Sequence, residues 1–395
     1  MKERGFNYLK NYGRIIFPLC ILCLISWIEI GSASAQMQQY QFLFRQGMEK
    51  ALNMEIQDGI NYFRKSVELD NEDPRGFTFQ ALTYLFSSEM SFEQKDKINY
   101  QEHVLRLVQE SLARGLKRVA LNSQDGNAYF AMAAARMIKT HLSIRQRNYF
   151  VAAHDASYAW NYIKKARDAD PQNYDIYLPM GLLHYHIGRL SRVTRFFSSL
   201  LITAGDHEKG IQELGFAAQK GDLLKELAKA ALSAIYVNNE NQPMKALPYM
   251  QELKEKYPRN YNFSFGLALN LSELKRFEEA LTIAKEIETG IVSGKAPYVP
   301  QLQPRFANLM GRILFNQKEY AKAAEYFQQV LRVDLPYNTW NRASALLRLG
   351  MIHDVRRERK DAEKYYSQVM EIKNVQGRMQ REAKQYLQTP YEPPV

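Results

Sequence analysis

The sequence predicts an all-α fold, a right-handed α-solenoid of about eight stacked helical pairs with insertions. Three observations carry this. Small residues recur at a fixed spacing: Ala246 and Ala280 stand 34 positions apart, and so do Gly47 and Ala81. The segments around the first two, KALPYMQELKEKYP and EEALTIAKEIE, place apolar residues at helical intervals. No stretch of useful length alternates apolar and polar residues as a half-buried strand requires. A unit of this length is one helical pair, which buries its apolar face only by stacking on neighbours.

The first 35 residues stand apart from that pattern. Lys2, Arg4, Lys10 and Arg14 precede an apolar run from Ile15 to Ile28, and Ala33-Ser34-Ala35 offers the small residues a signal peptidase reads. Residues 1–35 are therefore expected to be a secretory signal, cleaved before Gln36. The competing reading is an uncleaved membrane anchor. The run of about 14 residues, ended by Glu29, falls short of the roughly 20 needed to cross a bilayer. Neither Cys20 nor Cys23 follows a small residue, which argues against a lipid anchor. Both cysteines lie inside this segment, so the remainder can form neither a disulfide nor a thiolate metal site. The expected localisation is export, to a periplasm first, with an extracellular or envelope-associated place as the alternative.

The net charge is +11, and the signal segment carries four basic and two acidic residues, which leaves about +9 on the rest. These charges are dispersed rather than blocked, which reads as a solvated basic surface. An exported protein rarely meets nucleic acid, so no nucleic-acid partner is expected.

The helical units follow in order. The first runs from about Tyr40 to Asp73, with Gly47, Gly59 and Phe63 at its crossing positions, and Asp73-Pro74 opens the next. The second carries Ala81 and Tyr84, an extra segment near Ser87–Lys97, and a long helix from about Tyr100 to Leu121. The third begins near Gly126, has an insertion around Lys139–Phe150, and continues with Ala159, Ile163, Ala166 and Pro171. The fourth has Tyr177, Met180-Gly181 and His184, but its second helix, with Gly210, Leu214 and Ala217, arrives late. The fifth gives Ala234, Ala246, Met250, Leu253 and Pro258; the sixth gives Ala268, Ala280, Ala284 and Ile287. A loop rich in Gly and Pro is expected from Gly290 to Pro304. The seventh gives Met310-Gly311, Ala323 and Phe327, and the eighth Leu349-Gly350, Ala362 and Tyr366. A helix over about Gly377–Leu387 should cap the end, and the closing PYEPPV should be disordered.

In tandem these units resemble the tetratricopeptide repeat (TPR) family, over nearly the whole length beyond the signal. The resemblance implies small residues at positions 8, 20 and 27 of each repeat, large ones at 4, 11 and 24, and proline at 32. It divides the chain into a solenoid over 36–388, diverged with insertions over about 40–225, regular over 226–375 and capped by 376–388, followed by a tail over 389–395. It also implies that first helices line a concave face through positions 2, 5, 9, 12 and 13. Carried onto this chain, the N-terminal half gives the apolar set Phe44, Met48, Thr78, Leu82, Phe130, Leu178, Leu182 and Tyr185. The C-terminal half gives Asn238, Asn239, Asn262, Phe265, Arg305, Asn308, Arg312 and Asn316, whose amides and guanidinium groups suit a peptide backbone or a carboxylate. Arg305, Asn308 and Arg312 resemble the logic of the family's carboxylate clamp but depart from its usual Lys/Asn pattern. The competing reading is an ordinary polar rim, and the apolar half could be filled by the insertion of repeat four.

That insertion, residues 187–204, sets Leu190, Val193, Phe197, Leu200 and Leu201 on one stripe, with Arg189, Arg192 and Arg195 beside it and Phe196 adjacent. Such a stripe suits docking against its own solenoid, contact with an anionic membrane, or a partner; the residues alone leave all three open. Chemistry-bearing motifs are missing: no GxSxG, Walker-type loop, GxGxxG after a strand or HExxH appears. His184 and His186 point about 200° apart on a helix and His184 holds a packing position, so no metal site is expected. The sequons at Asn262 and Asn270 lie on one packed helix and read as chance. The chain is thus expected to be a non-enzymatic, cofactor-free exported scaffold that holds a protein or peptide partner in its groove, in envelope or secretion-complex assembly. The alternative is a peripheral membrane or cell-wall factor using the basic surface and the 187–204 insertion. The sequence leaves the oligomeric state open.

Overall fold

The computed structural model describes residues 36–190, 202–334, 338–372 and 378–393. The expected signal over 1–35 lies outside the described residues. Among the described residues the regular structure is entirely helical. Eight antiparallel pairs follow one another: α1 (36–52) with α2 (Ile56–Leu69), α3 (Pro74–Met90) with α4 (Gln94–Leu121), α5 (Gly126–Arg145) with α6 (Tyr149–Ala169), and α7 (Tyr177–Gly188) with α8 (His207–Lys220). Then come α9 (Lys225–Asn238) with α10 (Pro243–Lys256), α11 (Tyr261–Glu273) with α12 (Phe277–Ser293), α13 (Gln303–Asn316) with α14 (Tyr320–Leu331), and α15 (Thr339–Val355) with α16 (Arg359–Glu371). A single helix, α17 (Arg378–Gln388), covers the last pair. The protein is an all-α solenoid.

Local chemistry sets the punctuation. Asp73 caps α3 by accepting from the Arg75 N–H at 2.8 Å, with Pro74 in the first turn. Asp125 and Asp206 cap α5 and α8 in the same way. The turn inside a pair repeats one device: the second residue before the next helix is left-handed, at Met54, Arg147, Asn241, Lys275, Lys318 and Arg357. At Lys318, for example, its N–H returns to the Phe315 carbonyl at 2.9 Å and the Glu319 N–H to that of Leu314 at 2.9 Å, closing the first helix.

The two helices of a pair cross where a glycine meets an aromatic ring. A Cβ on Gly47 would fall 2.6 Å from the Phe63 ring, one on Gly311 2.5 Å from Phe327, and one on Gly350 2.5 Å from Tyr366. These are the position 8 and position 24 residues of the sequence pattern, and the rings of Phe63, Phe327 and Tyr366 are fully buried.

Several expectations are corrected. The insertion around Lys139–Phe150 does not separate the helices; most of it lengthens α5 and α6 to 20 and 21 residues, joined by a short turn. Ser87–Lys97 is likewise mostly helix, because α4 starts at Gln94 and runs for 28 residues. The Gly/Pro loop is shorter than expected: α12 persists to Ser293, and a 3-10 turn at Pro300–Leu302 leads into α13. Tyr391, in the tail expected to be disordered, is tied down: its N–H donates to Asp354 Oδ2 at 2.8 Å and its ring meets Phe315 and Tyr386.

The superhelix closes on itself. Asn260 Nδ2 donates to the Leu52 carbonyl at 2.7 Å, and the Arg259 N–H reaches Asn53 Oδ1 at 3.3 Å. Met54 joins the core of α11 to α13, and Met90 and Phe92 pack against it. Arg45 makes a two-pronged pair with Asp222 at 3.1 and 3.2 Å. The first two pairs therefore abut the fifth and sixth.

A charged cavity on the C-terminal concave face

In the N-terminal half of the concave face, Phe44, Met48, Thr78, Phe130, Leu178 and Tyr185 are all buried. Phe44, Phe63 and Phe79 pack ring to ring, and Phe130 extends the chain of contacts. This half is core. These contacts run between successive helices of the first three pairs, and residues 191–201 of the insertion expected to fill this half lie outside the described residues.

The C-terminal half holds a cavity of about 860 Å³. Its walls are the ends of α9, α11 and α13, the inner face of α15 and the cap α17, with Arg145 arriving from the lengthened α5. Phe315, Trp340, Leu347, Met351, Tyr386 and Tyr391 make the apolar part, and Trp340 is half exposed. Four arginines and two glutamates make the charged part: Arg145, Arg312, Arg348 and Arg378, with Glu273 and Glu382.

Three of these arginines have an acidic partner. Arg312 Nη2 donates to Glu273 at 3.0 Å, Arg378 Nε to Glu382 at 2.6 Å, and Arg145 lies 3.5 Å from Glu89. Arg348 has none among the described residues. It is half-buried, and Nη1 donates to its own helix, to Ser344 Oγ at 3.1 Å and the Ser344 carbonyl at 3.5 Å. Burial, with neighbouring Arg312 adding to it, pushes the Arg348 guanidinium down to about 9. Burial also lowers Arg312, against the pull of Glu273. The carboxylates of Glu273 and Glu382 pull against that burial without bonding to Arg348, so its guanidinium faces the cavity with donors to spare, and its planar fork suits a carboxylate.

Of the residues expected to bind peptide, Asn238, Arg312 and Asn316 line this cavity; Asn316 Nδ2 donates to Ser272 Oγ at 3.1 Å. The others sit elsewhere. Arg305 donates to Asn262 Oδ1 at 2.6 Å and lies over the Phe265 ring at 4.3 Å, and burial pushes it down to about 10. Asn308 is only 3% exposed, with its side-chain oxygen unpartnered. Arg189 is spent within the chain: Nη1 donates to Glu240 at 2.8 Å, and the Tyr185 hydroxyl donates to the same carboxylate at 2.7 Å. Arg192, Arg195, Phe196 and Phe197 lie outside the described residues. Sequence reasoning missed Arg348, Trp340, Arg378, Glu382 and Tyr391. Positions 2, 5 and 9 of the eighth repeat, Ser344, Leu347 and Met351, all line the cavity; applying the rule there would have found its neighbourhood.

Other titratable clusters have structural partners. His184 Nδ1 meets Glu213 Oε2 at 2.5 Å in the core, its ring edge-on to Trp160. His353, Glu358 and Asp361 could offer ligand atoms within 4.8 Å of one another. However, His353 Nδ1 is engaged by Glu358 at 2.5 Å, and Arg356, Arg357, Arg359 and Lys360 surround the turn with positive charge. That field opposes a cation.

A family model described as tetratricopeptide repeat matches residues 308–373, which include most of the cavity's α13 and α15 wall. Residues 308–373 thus match the tetratricopeptide repeat family. No curated protein matches it by sequence. Among solved structures, the chain is similar to a thermophilic TPR protein of Thermus thermophilus, at 18% identity over 59% of this chain and 98% of that one, with a TM-score of 0.37. It is similar to the human IFIT1 dimer with m7Gppp-AAAA at 10% identity, over 89% and 84% of the two chains, with a TM-score of 0.46. Yeast Tom70 aligns at 11% identity over 89% and 95%, with a TM-score of 0.29. Likeness of this order concerns the helical-repeat fold and says nothing of a ligand. The TPR fold itself is that of an interaction scaffold.

Proposed function

We propose that this TPR protein is an exported, non-enzymatic scaffold that holds an acidic segment of a partner protein in the C-terminal cavity, as part of an envelope or secretion assembly. The observation that carries the reading is Arg348, a guanidinium in a concave cavity with no acidic partner among the described residues. The surroundings fit. Trp340, Phe315 and Met351 offer apolar contact for a peptide's side chains, and Asn238 and Asn316 offer amides for its main chain. Export is supported by the signal-like character of residues 1–35 and by the lack of cysteine after Cys23.

The test is binding of a Glu/Asp-rich decapeptide to the purified protein, followed by quenching of Trp340, with a Lys-rich peptide of equal length as control. The reading expects saturable quenching by the acidic peptide alone, weakening as salt rises. Equal quenching by both peptides, or by neither, overturns it. Export is tested separately: the envelope fraction should yield a chain beginning at Gln36, and an intact N-terminus in the cytosol refutes that part.

A further inference from the structure

Arg348 stands among four other charges of the cavity: Arg312 and Arg378 add to its field, and Glu273 and Glu382 pull against it. Those four are already matched, because Arg312 donates to Glu273 and Arg378 to Glu382. Arg145 is answered by Glu89, which lies outside the cavity wall. The cavity therefore holds a surplus of one positive charge, and that charge is Arg348. A first anion meets a guanidinium with free donors. A second has to share an arginine that Glu273 or Glu382 already holds, and feels the repulsion of that carboxylate.

The surroundings of Arg348 are apolar on both sides. Along α15, Trp340 lies about two turns before it and Met351 about one turn after it, and both line the cavity. Burial raises the phenols of Tyr386 and Tyr391, and Arg348 pulls both back, which places the two phenols within its field. Neither hydroxyl makes a hydrogen bond among the described residues. Protonated at neutral pH, each can give its O–H to an anion held by Arg348.

We propose that the cavity reads a single side-chain carboxylate, an Asp or Glu with apolar residues on either side of it, rather than a run of acidic residues. This narrows the reading of the cavity as an acid-binding site and rests on it. Arg348 takes the carboxylate through its free donors, the two phenols assist, and the flanking side chains of the segment lie against Trp340 and Met351. Such a site gains from the first carboxylate and little from the next.

The probes are capped nonapeptides without end charges. They share one apolar sequence and carry Gln, one Glu or three consecutive Glu at the centre, and the Glu/Asp-rich decapeptide is measured alongside. The full chain should bind the one-Glu peptide about 10- to 100-fold more tightly than the Gln peptide. The three-Glu peptide should bind less than about fivefold more tightly again. Arg348→Met should erase the preference for Glu over Gln. Glu382→Gln keeps Arg348 and frees Arg378, so the surplus becomes two, and the ratio of three-Glu to one-Glu affinity should rise about three- to fivefold. An unchanged ratio in Glu382→Gln refutes the charge count. Decapeptide binding with no gain from Gln to one Glu, or a gain of about fivefold or more from one Glu to three on the parent chain, overturns the single-carboxylate reading and leaves the acid site standing. Should neither the decapeptide nor any Glu peptide bind, both readings fall.

Discussion

Arg348→Met separates the cost of the site from its use. The ordinary guanidinium value is 12.5, and in the folded protein Arg348 stands at about 9. At roughly 1.4 kcal/mol per pH unit, unscreened charge burial would cost about 5 kcal/mol. The side chain borders an open cavity, so solvent screening reduces this to about 1–2 kcal/mol. Methionine keeps most of the stem's packing and removes the charge, forfeiting only the bonds to Ser344. The variant should therefore melt higher than the parent, by about 1–2 kcal/mol of added stability. Its affinity for the acidic decapeptide should fall about 10- to 100-fold, the worth of a charge-assisted hydrogen bond.

The sign of the pH dependence follows. A base whose folded value is depressed costs stability while it is charged. The advantage of Arg348→Met is full below about pH 9 and shrinks as the parent loses its proton above that. Differential scanning fluorimetry from neutral to alkaline pH, with peptide titration at neutral pH, reads both quantities. A variant that melts lower than the parent and binds the decapeptide as well would refute the reasoning, making Arg348 a structural residue.

The remaining predictions concern the frame. Gly350→Ala places a methyl 2.5 Å from the Tyr366 ring, whose hydroxyl is pinned to Asp354 at 2.8 Å. Overpacking less the helix preference for alanine gives a loss of about 1–2 kcal/mol, measurable by chemical denaturation, and an unchanged midpoint would contradict it. Asn260→Ala removes the bond to the buried Leu52 carbonyl and the cap that accepts from the Asn262 N–H of α11, and should cost about 1–3 kcal/mol. Hydrogen exchange should then quicken in α1 and α2 but not in α15 or α16, and uniform exchange would rule out a local clasp. Tyr40, Tyr185, Tyr257 and Tyr366 are all raised by burial. Their stability contribution is whole below about pH 10 and lost as pH climbs further, while Arg305 and Arg348 push weakly the other way. Thermal midpoints should fall above about pH 10, and a flat profile there would count against buried phenols.

The residues themselves determined the repeat and its packing code. Gly47, Gly311 and Gly350 are small because a ring lies against each, and Phe63, Phe327 and Tyr366 supply those rings. That relation is local, set within one helical pair, so the spacing of residue types reveals it. Asp73-Pro74, which opens α3, was legible for the same reason. The candidate site was legible only in part. Asn238, Arg312 and Asn316 followed from repeat position, but Arg305 turned to stack on Phe265 and Asn308 sank into the core. Only the tertiary structure showed that the first pairs close on the sixth, through Leu52 and Asn260, which are 208 residues apart. The apolar half of the groove is core, which leaves the working surface to Arg348, Trp340, the cap helix and Tyr391, drawn from separate parts of the chain. How tightly a solenoid winds is the sum of many small rotations between neighbouring pairs. No single repeat encodes that sum, so the cavity it creates appears in no repeat's sequence.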